Sequence, residues 1–152
     1  AFLATVLGRE EGAPPLVDLA VEKRNGDFAR RLIAEDRVTA VHDLSDGGLL
    51  VAVAEMAMAS GIGAALDSPP VDIASHAFWF GEDQARYLLT ARPAEMPKIA
   101  AAAAAAGVPL RVLGTTKGRQ LTLPGENPIL VSSLHALFEG WLPAYMAGKA
   151  AA

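Results

Sequence analysis

His42-Asp43-Leu44-Ser45-Asp46-Gly47-Gly48 stands between a β-branched run, Val38 to Val41, and an almost wholly apolar segment, Leu49 to Ala59, whose only charge is Glu55. A β-branched run favours a strand, paired glycines permit a tight turn, and an apolar segment of that length suits a buried helix. The order is strand, turn, helix.

Upstream, Ala1 to Leu7 reads as the end of a helix closed by Gly8, and Gly12, Pro14 and Pro15 as a connector. From Asp18 to Asp36 the apolar Val21, Phe28, Leu32 and Ile33 follow helical spacing, opposite a charged face that offers an Asp27 to Arg31 pair at i,i+4. Gly26 inside this helix marks a close packing contact. The expected boundaries are a helix end and connector over 1–17, a single α/β domain over 18–148, and a tail over 149–152.

Downstream, Gly61 to Leu66 is a strand candidate, Ser68-Pro69-Pro70 a turn, and Val71 to Phe80 a short helix or irregular segment. Arg86 to Thr90 reads as a strand, Ala94 to Ala106 as a helix stopped by Gly107, and Val108 to Gly114 as another strand. Seven consecutive alanines, Ala100 to Ala106, permit close approach to a sheet. Gln120 to Leu123 and Ile129 to Val131 are further strand candidates, and Ser133 to Tyr145 is a final helix whose end Pro143 disturbs. Lys117 and Arg119 read as a solvated hairpin tip. Alternating strands and helices predict an α/β or α+β sandwich with a mixed sheet.

Composition narrows the function. The 152 residues are 52% hydrophobic and 20% charged, enough for one real core, and the net charge of -4 lacks the basic excess that nucleic-acid binding requires. No apolar run approaches the roughly 18 residues of a membrane helix, so a soluble protein with no membrane partner is expected. The absence of cysteine removes disulfides, thiolate metal sites and cysteine nucleophiles, and is compatible with the cytoplasm. The chain begins without methionine and without a basic n-region, which reads as an excised fragment rather than a signal peptide.

Chemistry concentrates in two places. In the 42–48 turn, Asp43 and Asp46 carry hard oxygen donors suited to Mg²⁺, Ser45 carries a hydroxyl, and Gly47 and Gly48 offer backbone N–H groups where a helix begins. One reading is a metal-phosphate site. The other is structural, with Ser45 or Asp46 capping the helix and the glycines closing the turn. No Lys-Ser or Lys-Thr follows the glycines, so this is not a Walker A loop. The second place is Phe80-Gly81-Glu82-Asp83-Gln84-Ala85-Arg86-Tyr87, where Glu82, Asp83 and Gln84 could meet a ligand or form an exposed, internally paired turn. His42, His76 and His135 lack metal-ligand spacing, and Trp79 and Trp141 read as core or interface aromatics.

These residues also carry a resemblance. His42 to Leu49, followed by Ala54-Glu55-Met56-Ala57 and Phe80 to Tyr87, and preceded by Gly8 to Pro15 and Glu22 to Phe28, resembles the C-terminal domain of phosphoribosylformylglycinamidine synthase. Leu44 stands where valine is commoner. The Asp-x-Ser-Asp-Gly-Gly core alone is shared with the wider superfamily of aminoimidazole ribonucleotide synthase, selenophosphate synthetase and thiamine monophosphate kinase.

The resemblance implies a three-layer α/β/α domain of a purine-biosynthesis ligase. That enzyme uses ATP and glutamine-derived ammonia to convert formylglycinamide ribonucleotide to formylglycinamidine ribonucleotide, through an iminophosphate. It implies Asp43 as a Mg²⁺ ligand and Ser45, with Gly47 and Gly48, at an auxiliary ATP or ADP site. Asp46 would support the turn, and Glu82, Asp83 and Gln84 would contact ligand by analogy with the first half of the enzyme. Catalytic residues would lie elsewhere, leaving the fragment alone inactive. Its partners would be the missing domains of the same synthetase, a glutaminase subunit or domain, and in short members a small accessory subunit. A nucleotide-binding structural or regulatory module and a kinase-like superfamily member are the alternatives.

Overall fold

The computed structural model describes residues 1–10 and 15–149. The expected connector residues Gly12 and Pro14, and all but the first residue of the expected tail, lie outside the described residues. The chain divides into two compact units, Ala1–Val53 with Pro69–Val112, and Ala54–Ser68 with the stretch from Leu113 onward.

The first unit is built on α2 (Leu19–Ala34), which Asp18 caps by accepting the amides of Ala20 at 2.9 Å and Val21 at 3.1 Å. Such a cap contributes about 1 kcal/mol. α1 (Phe2–Leu7) precedes it and ends at Gly8, as the sequence predicts. Strands β1 (Ala40–Asp43) and β3 (Tyr87–Thr90) form an antiparallel ribbon in the register Ala40 to Thr90 and Asp43 to Tyr87. The strand expected at Val38 to Val41 thus runs two residues later, and His42 and Asp43 are strand residues rather than turn residues.

A short 3₁₀ turn (Pro93–Glu95) leads into α5 (Met96–Ala105). Ile99 and Ala103 of α5 pack with Phe28 and Leu32 of α2, flanked by Val38, Leu89 and Val108. The alanine run, expected against a sheet, packs its fully buried Ala103 with Phe28 and Leu32 of α2 instead, beside Leu89 of β3. Leu32 and Ile99 are the most completely buried large side chains, and truncating either to Ala costs about 2–5 kcal/mol. Gly26 also meets its expectation: a Cβ there would sit 3.1 Å from the Tyr87 hydroxyl. α4 (Ser75–Phe80) buries Phe78 and Trp79, whose rings meet edge to face at 4.8 Å.

The second unit holds a mixed four-stranded sheet in the order β4 (Gly114–Thr116), β2 (Ala64–Leu66), β5 (Gln120–Thr122), β6 (Ile129–Leu130). β2 pairs antiparallel with β4 and parallel with β5. Helix α6 (Val131–Met146) follows β6 directly, and Pro143 lies inside its last turn. α3 (Gly48–Ser60) starts in the first unit and ends in the second.

Four expectations change. The strands form two sheets rather than one. Asp27 pairs with Lys23 and Arg30, while Arg31 lies over the Phe28 ring at 5.2 Å. Lys117 and Arg119 are not a hairpin tip, because β2 lies between β4 and β5. The strand expected over Val108 to Gly114 begins only at Gly114: Val108 packs against the α2–α5 core, and Pro109 has no amide to give to a ladder.

Candidate functional site

The ribbon brings the two chemistry-bearing stretches together. Beyond the last paired residues, the Leu44 amide donates to the Arg86 carbonyl at 3.0 Å, so the 44–48 turn and the 80–86 segment leave the ribbon side by side. The Gly47 amide then donates to Glu82 Oε1 at 2.8 Å, across 35 residues of sequence. The Gly48 amide donates to the Ser45 carbonyl at 3.1 Å, which closes the turn as α3 begins.

Both glycines are required here. Gly47 and Gly48 have φ of 83° and 71°, and a Cβ on Gly48 would lie 2.6 Å from the Gly81 carbonyl oxygen. A left-handed backbone pressed against another backbone leaves room for hydrogen only.

The two amides offered to a ligand by the sequence thus have partners inside the chain. The Ser45 and Asp46 side chains are exposed and, among the described residues, have no hydrogen-bond partner. Neither caps α3. Asp43 at the end of β1 is 70% exposed at its side chain, with Oδ1 3.8 Å from His42 Nδ1. The His42 Nδ1–H donates instead to the Asp43 carbonyl at 2.5 Å, which fixes the ring's tautomer.

Glu82 is held below the usual carboxylate range chiefly by the hydrogen bond it accepts from the Gly47 amide. Desolvation opposes this shift but does not win. Asp83 pairs with Arg86 at 3.2 Å, and Arg86 also donates to the Gly81 carbonyl at 3.4 Å. Gln84 is exposed. Ala85 sits at φ 61°, a conformation uncommon for a residue with a Cβ, and its carbonyl accepts Asn25 Nδ2 at 3.0 Å.

Asn25 is the residue that site-by-site reading of the sequence missed. Its signal was a poor helix former placed mid-helix beside Gly26, which calls for a partner outside the helix. A cleft of about 390 Å³ between α2 and the ribbon, lined by Leu19, Gly26, Ile33, Val41 and Tyr87 among others, contains none of the candidate site residues.

The donor set limits what metal the turn could take. Among the described residues no three His, Asp or Glu side chains gather as a metal cluster. Asp43 offers one exposed carboxylate, which fits a Mg²⁺ whose remaining shell is phosphate and water, and does not fit a resident ion held by protein alone.

Residues 1–123 match the family described as AIR synthase related protein, C-terminal domain. The chain is 58% identical over 96% of its length to the phosphoribosylformylglycinamidine synthase subunit PurL of Methylocella silvestris, and 55% identical over 99% to that of Bradyrhizobium diazoefficiens. It spans about one fifth of the length of each of these curated relatives. Among solved structures, it resembles Thermotoga maritima PurL complexed with FGAR, with a TM-score of 0.71 at 18% identity, covering 88% of this chain and 24% of that one. T. maritima PurL complexed with ATP gives a TM-score of 0.70 at 18% identity, over 82% and 23%. Among the described residues, no helix is long and apolar enough to cross a membrane. On the match over residues 1–123, the chain belongs to the AIR synthase related protein, C-terminal domain, family.

Proposed function

We propose that this chain is a domain of a phosphoribosylformylglycinamidine synthase, and that residues 43–48 form one wall of a Mg-nucleotide site in the whole enzyme. The observation that carries the reading is 58% identity over 96% of the chain to a subunit of that name. The kinase-like alternative rests on the turn motif alone, whereas this identity runs through both units. The parent would be a cytoplasmic ligase that uses ATP and glutamine-derived ammonia, working with a glutaminase and, in a short form, a small accessory subunit.

Within the turn each residue has a physical task. Asp43 supplies a hard carboxylate oxygen to Mg²⁺, and the metal would offset phosphate charge in the bound nucleotide. Ser45 presents an unengaged hydroxyl at the start of α3, where the helix dipole favours an anion. Asp46, also unengaged, is a candidate for a water in the metal's shell. Gly47 and Gly48 set the path of the turn, and Glu82 fixes it through the Gly47 amide. Asp83 and Gln84 are exposed at the rim and are proposed ligand contacts, Asp83 once Arg86 releases it. No residue of this chain is assigned to the bond-making step.

The test uses the full-length synthetase and the 152-residue chain side by side. Ammonia-dependent formation of formylglycinamidine ribonucleotide by the whole enzyme, with none from the chain alone, supports the reading. Turnover by the isolated chain, or a whole enzyme that instead phosphorylates a small acceptor, overturns it.

A further inference from the structure

Three locally unfavourable features surround a single hydrogen bond in the first unit. Asn25 is a poor helix former in the interior of the 16-residue α2, and its Oδ1 is buried without a hydrogen-bond partner among the described residues. Its Nδ2 is committed to the Ala85 carbonyl at 3.0 Å, and Ala85 itself stands at φ 61°. Such features persist where the surrounding structure needs the geometry they enforce. The bond is not needed to seat the helix, because Phe28, Ala29 and Leu32 of α2 are already buried.

The bond acts instead on the approach to the turn. Gly26, the next residue of α2, comes so close that a Cβ there would lie 3.1 Å from the Tyr87 hydroxyl. Residues 25 and 26 thus meet the chain at 85 and 87, on both sides of Arg86. The Arg86 carbonyl accepts the Leu44 amide at 3.0 Å, where the turn leaves the ribbon. Glu82 accepts the Gly47 amide at 2.8 Å, where the turn enters α3. Both ends of the 44–48 turn are therefore tied to the one short segment that Asn25 anchors.

We propose that Asn25 is a positioning residue, which through the Ala85 carbonyl fixes the 82–86 segment and through that segment the wall formed by residues 43–48. Without the Nδ2 donor, Ala85 leaves the left-handed region, which a residue with a Cβ disfavours, and Glu82 is carried away from Gly47. Asn25 touches no ligand in this scheme. The consequence for ligand binding rests on the Mg-nucleotide reading above, whereas the mechanical link from Asn25 to Gly47 does not.

The two parts are measured separately. Asn25→Asp keeps the size of the side chain and, when ionised, has no donor for the Ala85 carbonyl; Asn25→Ala lacks the group altogether. In nuclear magnetic resonance spectra of the 152-residue chain, the Gly47 amide proton should lie downfield because a carboxylate accepts it. Both variants should move it upfield, whereas Ile99→Val, which loosens the buried core of the same unit, should leave it in place. In the full-length synthetase, both Asn25 variants should lower the affinity for Mg-ADP by roughly three- to tenfold, the equilibrium worth of one hydrogen bond. A Gly47 signal that stays put in both variants, or that Ile99→Val moves as far, overturns the positioning role. So does a synthetase whose Mg-ADP affinity is the same with and without Asn25. A wild-type synthetase that takes up no Mg-ADP ends the nucleotide reading alone, and the Gly47 signal then decides the role of Asn25.

Discussion

Glu82 Oε1 accepts the Gly47 amide at 2.8 Å, so a carboxylate from one side of the ribbon holds a turn on the other. Because this bond holds Glu82 in its ionised form, part of the turn's stability depends on pH. The Glu82 pKa in the folded chain lies below its ordinary 4.5, so the contribution is fully present above that value and is lost as pH falls through the folded value. Glu82→Gln removes this dependence. Melting temperatures of the two proteins between pH 3 and 7 should differ most above about pH 4.5 and converge in acid, with equal differences at every pH counting against it.

The two glycines Gly61 and Gly48 separate strain from collision. Gly61 has φ 68° with open space around it, whereas Gly48 has φ 71° with the Gly81 carbonyl oxygen 2.6 Å from where a Cβ would stand. Gly61→Ala should therefore cost about 1 kcal/mol, the left-handed penalty alone. Gly48→Ala should cost more, roughly 2–4 kcal/mol, since backbone must move as well. Denaturant unfolding of both variants checks the order, and equal costs would mean that the close approach is relieved without effort.

Asn25 and Ala85 form a second brace, which ties α2 to the segment that carries Glu82. Asn25→Ala loses a part-buried hydrogen bond and should destabilise by about 1 kcal/mol. Ala85→Gly relieves the positive φ and should be neutral or stabilising, because the strain removed offsets the added backbone freedom of glycine. A double-mutant cycle should show coupling between the two positions, and strict additivity would separate the bond from the strained residue.

Local signals explain what was legible in the chain. α2 could be read because Phe28 and Leu32 stand at helical spacing and are buried together, and the turn could be read because Gly47-Gly48 admits few conformations. The misread elements depend on partners far away in sequence. β2 enters between β4 and β5 because Ala64 pairs with both Thr116 and Leu121, and nothing in the Lys117-Gly118-Arg119 turn encodes that insertion. Val108 has the composition of a strand residue, yet burial against Phe28 and Ile99 claims it first. In the site, the types of Glu82 and Gly47 were visible, but their pairing across 35 residues was not, because hydrogen-bond choice is set by how β1 and β3 register.

The metal-phosphate role proposed for residues 43–48 rests first on Asp43 and Ser45, whose side chains, like that of Asp46, are exposed. In the full-length enzyme, Asp43→Asn keeps the shape of the side chain and removes its charge, so Mg-nucleotide retention should fall while the melting temperature of the nucleotide-free enzyme holds. His42→Gln should have a smaller effect, because the imidazole Nδ1 already serves the Asp43 carbonyl. Ser45→Ala should weaken retention by roughly 0.5–1.5 kcal/mol, the worth of one hydrogen bond, and should leave folding untouched because the hydroxyl caps nothing among the described residues. A purely structural turn gives the opposite pattern, with lowered melting temperature and unchanged nucleotide content. Bound nucleotide and melting temperature measured on the same preparations distinguish the two. An Asp43→Asn enzyme that retains its nucleotide in full would leave Asp43 as no more than the exposed end of β1.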